Sequence, residues 1–142
     1  MVHFHCECSK LAKEQVPAGS FFVKDIKQPL GFENSFDGIF AQAVLLHIPK
    51  NEVSNVLKNI IEPLKSGGYF YVAVKELRSG NKDEEIVKES DYGYEYERFF
   101  SYFTMDEKKD YIKKIGLQVV YDCIISSGKT NWIQIVAKKL KS

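Results

Sequence analysis

FDGIFAQAVLLHIPKNEVSNVLKNIIEPLKSGGYFYVAVK, running from Phe36 to Lys75, decides the fold. Its first part, Phe36 to Ala41, continues into Ala43-Val44-Leu45-Leu46 with almost no polar break, the pattern of a buried strand. Val53, Val56, Leu57, Ile60, Ile61 and Leu64 then recur at helical spacing, which turns one apolar face toward a sheet and leaves Asn55, Lys58 and Asn59 on the wet side. Pro63 kinks or ends that helix, and Ser66-Gly67-Gly68 supplies residues able to take positive φ for the turn out. Tyr69 to Lys75, rich in aromatic and β-branched residues, reads as the next strand. Strand, helix and strand in this order form one unit of an α/β sheet.

Downstream, Leu77 to Tyr96 carries Gly80, Gly93 and many charges and has no clear period, so residues 77–97 are expected to form a substrate-side loop or lid. Thr104-Met-Asp-Glu107 is a capping box that opens a helix, and Gly116 closes it. Leu117 to Ile125 and Trp132 to Lys139 are expected to close the chain as an antiparallel hairpin with a polar tip. Upstream, Met1 to Cys6 reads as a short strand, Ser9 to Gln15 as a short helix, and Ser20 to Lys24 as a strand ending at Asp25. Residues 1–142 form a single domain in this reading. The loops after Asp25, Ala41 and Lys75 gather on one edge of the sheet, where such sheets bind ligands.

Composition narrows the partners. Twenty basic residues stand against 19 acidic ones, a formal net charge of +1, so there is no basic field to collect nucleic acid or anionic lipid. No apolar run approaches the roughly 18 residues that read as a membrane span, and a cytoplasmic location is the expectation. Cys6, Cys8 and Cys123 are too few and too oddly spaced for a secreted disulfide framework. His3-Phe-His5-Cys6-Glu-Cys8 could supply four zinc ligands in principle. Zinc sites, however, draw ligand pairs from two segments, no second pair follows, and no metal is expected.

Asn34-Ser-Phe-Asp-Gly-Ile-Phe-Ala-Gln-Ala-Val-Leu-Leu-His-Ile-Pro49, then Leu64-Lys-Ser-Gly-Gly68, then Tyr71-Val-Ala-Val-Lys-Glu76 resemble the later motifs of class I S-adenosylmethionine-dependent methyltransferases. Phe99-Phe-Ser-Tyr-Phe-Thr104 followed by a helix continues the likeness, which covers about residues 17 to 139. The resemblance implies a Rossmann-like methyltransferase sheet, S-adenosyl-L-methionine as cofactor, and methyl transfer to an oxygen or nitrogen of a small substrate. Asp25 matches the acid that accepts the adenine amine, with Ile26 flanking the ring; the bare alternative is that Asp25 caps a turn before Pro29. Ala41 and Gln42 match the residues beside the methionyl portion, although alanines in an apolar run also serve as plain core. His47 matches a histidine close to the reaction center and is the candidate base, or else it only satisfies a backbone group. Lys75 and Glu76, with Arg98, Tyr102 and the tyrosines at 92, 94 and 96, are the candidate substrate residues.

The family's first motif, G-x-G-x-G after a strand, does not occur in these residues, and neither does the ribose-binding acid, near whose place His3 stands. Ser66 in place of a proline and Lys108 in place of a hydrophobic residue are milder departures. The sheet is therefore expected to be incomplete in its N-terminal half. Either segment 1–6 moves into the central slot, where Asp25 would stand in the ribose-binding place, or another copy or a partner chain covers the open edge. Besides the methyltransferase, two functions stay open: a truncated, non-catalytic relative that binds a partner, and a tRNA-modifying methyltransferase, which the near-zero net charge disfavours.

Overall fold

A computed structural model describes residues 6–141. Helix α1 (Cys6–Gln15) is followed by an irregular stretch, strand β1 (Phe36–Gln42), a single 3₁₀ turn (Leu45–His47), helix α2 (Lys50–Ile61) and strand β2 (Leu64–Lys75). Strands β3 (Glu84–Glu89) and β4 (Tyr96–Ser101), helix α3 (Met105–Lys114), and strands β5 (Leu117–Ser127) and β6 (Thr130–Lys139) complete the order. Four strands form one mixed sheet, β1-β2-β6-β5, with β1 parallel to β2 and the rest antiparallel; β3 and β4 pair separately. The chain is thus an α/β protein closed by an antiparallel hairpin.

α2 forms where the apolar spacing places it, and its stripe of Val53, Val56, Leu57 and Ile60 joins Phe70, Val72 and Val74 of β2 and Ile133, Ile135 and Ala137 of β6 in one core. Ile112 of α3 enters the same core. Side chains alternate across a strand, so Phe40, Tyr69 and Tyr71 point to the opposite face, where Phe40 stacks on Tyr71 at 4.4 Å. Phe40 is 69% exposed. The continuous apolar run around β1 predicted a strand buried on both sides. One side is covered by helices, and among the described residues β1 pairs only with β2, so its other edge carries no strand.

Several local expectations are corrected. Residues 20–24 are not a strand: with no neighbour among the described residues to share a ladder, their backbone gains nothing from extension, and Phe22 and Val23 stay exposed. The proposed strand of residues 1–6 falls outside the described residues except for Cys6, which begins α1. Residues 77–97 are not irregular; they hold β3 and the start of β4, paired in register from Glu84↔Ser101 to Glu89↔Tyr96. β2 begins at Leu64 rather than Tyr69, because Leu64 pairs with Phe36 ahead of a register shift that absorbs Ser66-Gly67-Gly68. There Gly67 takes φ +82°, and a Cβ on Gly68 would lie 2.8 Å from the carbonyl oxygens of Asp37 and Lys65. Asn59 is not on the wet side: it is buried, and its Nδ2 donates to the Ile26 carbonyl at 3.0 Å.

Candidate active site

Parallel pairing brings the carboxyl ends of β1 and β2 to the same edge. The chain leaves β1 through Ala43, whose φ of 56° is unusual for a residue with a Cβ. Its N–H, donated to the Ala73 carbonyl at 3.1 Å, holds the bend in place. The 3₁₀ turn that follows presents His47, and β4 lies alongside it. Ser101 Oγ donates to the Ile48 carbonyl at 2.6 Å, and His47 Nδ1 donates to the Phe99 carbonyl at 2.9 Å. A carbonyl only accepts, so Nδ1 carries the proton and Nε2 of the neutral ring keeps its lone pair. Burial pulls the His47 pKa below its ordinary 6.5; the Phe99 hydrogen bond opposes this, and the charges of Arg98 and Lys75 reinforce it.

Lys75, at the end of β2, lies 4.3 Å above the Phe100 ring. Burial lowers its pKa, the positive charge of Arg98 adds to that, and Glu89 partly offsets both. Arg98 faces the Phe100 ring at 5.2 Å, but its guanidinium is taken up by Glu89, with Nη2 2.9 Å from Oε1 and Nε 2.6 Å from Oε2. It therefore acts on His47 and Lys75 as a fixed charge. Lys75, Glu76 and Tyr102 instead line one cavity of about 230 Å³ with Arg78, Glu85 and the hairpin tip Lys129-Thr130-Asn131. Tyr102 donates its hydroxyl to Glu85 at 2.5 Å; burial first, and then Glu85, push the phenol up to about 12.

Asp25 stands in an exposed turn, where its Oδ1 accepts the Lys27 N–H at 2.9 Å. The turn-capping role is thus occupied by one oxygen, and the second oxygen of this exposed carboxylate has no partner among the described residues. Ile26 is 1% exposed and its side chain belongs to the core, so what it offers a ligand is backbone rather than a ring-flanking side chain. Ala41 is buried and Gln42 exposed at the bend out of β1. A free acceptor at Asp25 and small residues at a tight bend fit the adenine and methionyl ends of a nucleoside cofactor. The glycine loop that would cradle its middle is absent from the sequence. His3 and His5 lie outside the described residues.

Sequence reasoning missed Asn59, which ties the Asp25-Ile26 turn to α2, and Ser101, which ties β4 to the His47 turn. Each is an uncharged polar residue next to a large apolar or aromatic one, Asn59 before Ile60 and Ser101 between Phe100 and Tyr102. That neighbourhood is the one signal that either would be buried.

The methyltransferase domain family model matches residues 2–72, half of the chain. The chain belongs to that family. Its fold is shared by a solved S-adenosylmethionine-dependent methyltransferase from Methanosarcina mazei, with 17% identity and a TM-score of 0.83 over 99% of this chain and 81% of that one. A methyltransferase from Clostridium acetobutylicum matches at 13% identity and a TM-score of 0.75, over 96% and 73% of the two chains. The 1,6-didemethyltoxoflavin-N1-methyltransferase of Burkholderia thailandensis, solved with 1,6-didemethyltoxoflavin and S-adenosylhomocysteine bound, matches at 18% identity and a TM-score of 0.73 over 97% of this chain. The present chain spans only 58% of that enzyme's length. No curated protein matches the sequence.

Proposed function

We propose that the chain is an S-adenosylmethionine-dependent methyltransferase acting on an oxygen or nitrogen of a small molecule, with His47 as the base. One observation carries the reading: His47 is held as a neutral ring with Nδ1–H on the Phe99 carbonyl and Nε2 unprotonated, at the strand edge where β1 and β2 end. When bound, the cofactor supplies an electrophilic methyl group. Asp25 would accept the adenine amine, the Ile26 backbone would border the ring, and Ala41 and Gln42 would lie along the methionyl portion. Nε2 of His47 would take the proton that the acceptor loses, while Lys75, Glu76 and Tyr102 position the acceptor. Burial would keep His47 neutral, with the Arg98 charge adding to it. Incubating the chain with methyl-labelled S-adenosylmethionine and a metabolite extract tests this: label should enter a small molecule, and His47→Gln should lower the rate by about 10²-fold or more. An extract left unlabelled by the unaltered chain contradicts it.

A second reading, a non-catalytic relative that binds a partner, draws support from β1, whose exposed Phe36 and Phe40 lie on a strand paired on one side only. Size-exclusion chromatography across a concentration series separates the two. A strictly monomeric species that binds S-adenosylhomocysteine removes the second reading.

A further inference from the structure

The acceptor cavity has a charge pattern of its own. Three cations line it, Lys75, Arg78 and Lys129, against two carboxylates, Glu76 and Glu85, which leaves one formal positive charge. Both carboxylates are already engaged by neutral donors: Glu85 accepts from Tyr102 at 2.5 Å, and Glu76 accepts from Asn131 Nδ2 at 3.1 Å. The cations are not. None of the ion pairs among the described residues includes Lys75, Arg78 or Lys129. Lys75 makes no ion pair; its ammonium lies 4.3 and 6.0 Å from the Phe100 and Trp132 rings, and Glu89 and Glu85 act on it without bonding to it. Cations in excess in a concave site, none of them ion-paired there, attract an anion from solution. At about 230 Å³ the space is near the small end of ligand pockets, too small for a nucleotide.

Resting on the methyltransferase reading, we infer that the methyl acceptor is a small carboxylic acid that also carries a hydroxyl or neutral amine: its carboxylate is held as a monoanion among Lys75, Arg78 and Lys129, and the hydroxyl or amine takes the methyl from the sulfonium and gives up its proton. Arg78 offers a planar fork that fits a carboxylate in bidentate fashion, and the lysines add point charges. A monoanion brings the cavity to formal neutrality, whereas a dianion would leave an excess negative charge beside Glu76 and Glu85. Thr130, at the hairpin tip, adds a hydroxyl to the same wall.

Titration of the 142-residue chain at fixed ionic strength tests this with benzoate, its neutral isostere benzamide, and inorganic phosphate. Benzoate should bind saturably and benzamide at least tenfold more weakly. Arg78→Gln and Lys129→Gln, both at exposed positions that leave the fold undisturbed, should each weaken benzoate by roughly 3- to 5-fold. Equal binding of benzoate and benzamide, or benzoate binding that neither substitution changes, overturns the inference, and so does phosphate binding tighter than benzoate. S-adenosylhomocysteine is titrated in parallel. Cofactor binding without benzoate binding overturns only the carboxylate inference. Benzoate binding without cofactor binding leaves the anion site standing and removes the methyltransferase reading.

Discussion

His47 is kept neutral by where it sits: burial and the charges of Arg98 and Lys75 outweigh the Phe99 hydrogen bond. Its folded pKa lies below the ordinary 6.5, so the base form is present above that value and is lost as pH falls through the lowered one. The rate of methyl transfer should therefore stay flat down to about pH 6.5 and fall only in more acidic solution. A pH–rate profile of Arg98→Gln should show the acid limb moved upward, because one cation no longer disfavours the imidazolium. Lys108 behaves in the same sense for stability. It is fully buried on α3, its ammonium has no hydrogen-bond partner, it lies 4.6 Å from the Phe103 ring, and burial lowers its pKa from 10.5 to about 7. Stability on this account is fullest above about pH 10.5 and declines as pH falls toward about 7, where an ammonium must be buried. The cost is on the order of 5 kcal/mol. Lys108→Met should raise the denaturant midpoint at pH 7 and flatten that pH dependence, as equilibrium unfolding at several pH values will show. Asn59→Leu should destabilise by about 1–3 kcal/mol through the orphaned Ile26 carbonyl. It should also weaken cofactor binding by loosening the Asp25 turn.

Helix α2 and strands β2, β5 and β6 were legible because each has one dominant signal: a helical stripe, or a β-branched run bounded by glycine. The β3–β4 hairpin was not, since Glu84–Glu89 is polar and is held as a strand by pairing with the aromatic β4 further along the chain. Periodicity reads a segment alone and cannot register its partner. The capping box at Thr104 was half right. Thr104 accepts the Glu107 N–H at 3.2 Å, but the Glu107 carboxylate, instead of reaching back, binds Lys50 Nζ at 2.8 Å and so fastens α3 to the start of α2. Of the candidate site, the placement of Ala41, Gln42, Lys75 and Glu76 at strand ends followed from motif order, whereas the Arg98–Glu89 pair did not, because Glu89 lies on the unseen hairpin. Gly68 leaves no room for a Cβ against the backbone of β1 at Asp37. Gly68→Ala must push back two backbone carbonyls, and thermal unfolding should report a loss of about 1–3 kcal/mol, while Gly80→Ala, strained only by its positive φ in open space, should cost less.

Taken together, one sheet face is covered by α2 and α3, the carboxyl ends of β1 and β2 meet the β3–β4 hairpin, and β1 keeps an edge unpaired among the described residues. This arrangement places a neutral base and a cationic cavity where β1 and β2 end, with an exposed acid in a turn tied to α2, and without the glycine loop that methyltransferases use to hold their cofactor. The central claim is that these residues still bind that cofactor. Calorimetric titration of the chain with S-adenosylhomocysteine tests it most directly. Saturable binding that Asp25→Ala weakens and His47→Gln leaves unchanged is the predicted result; no heat at millimolar ligand contradicts it.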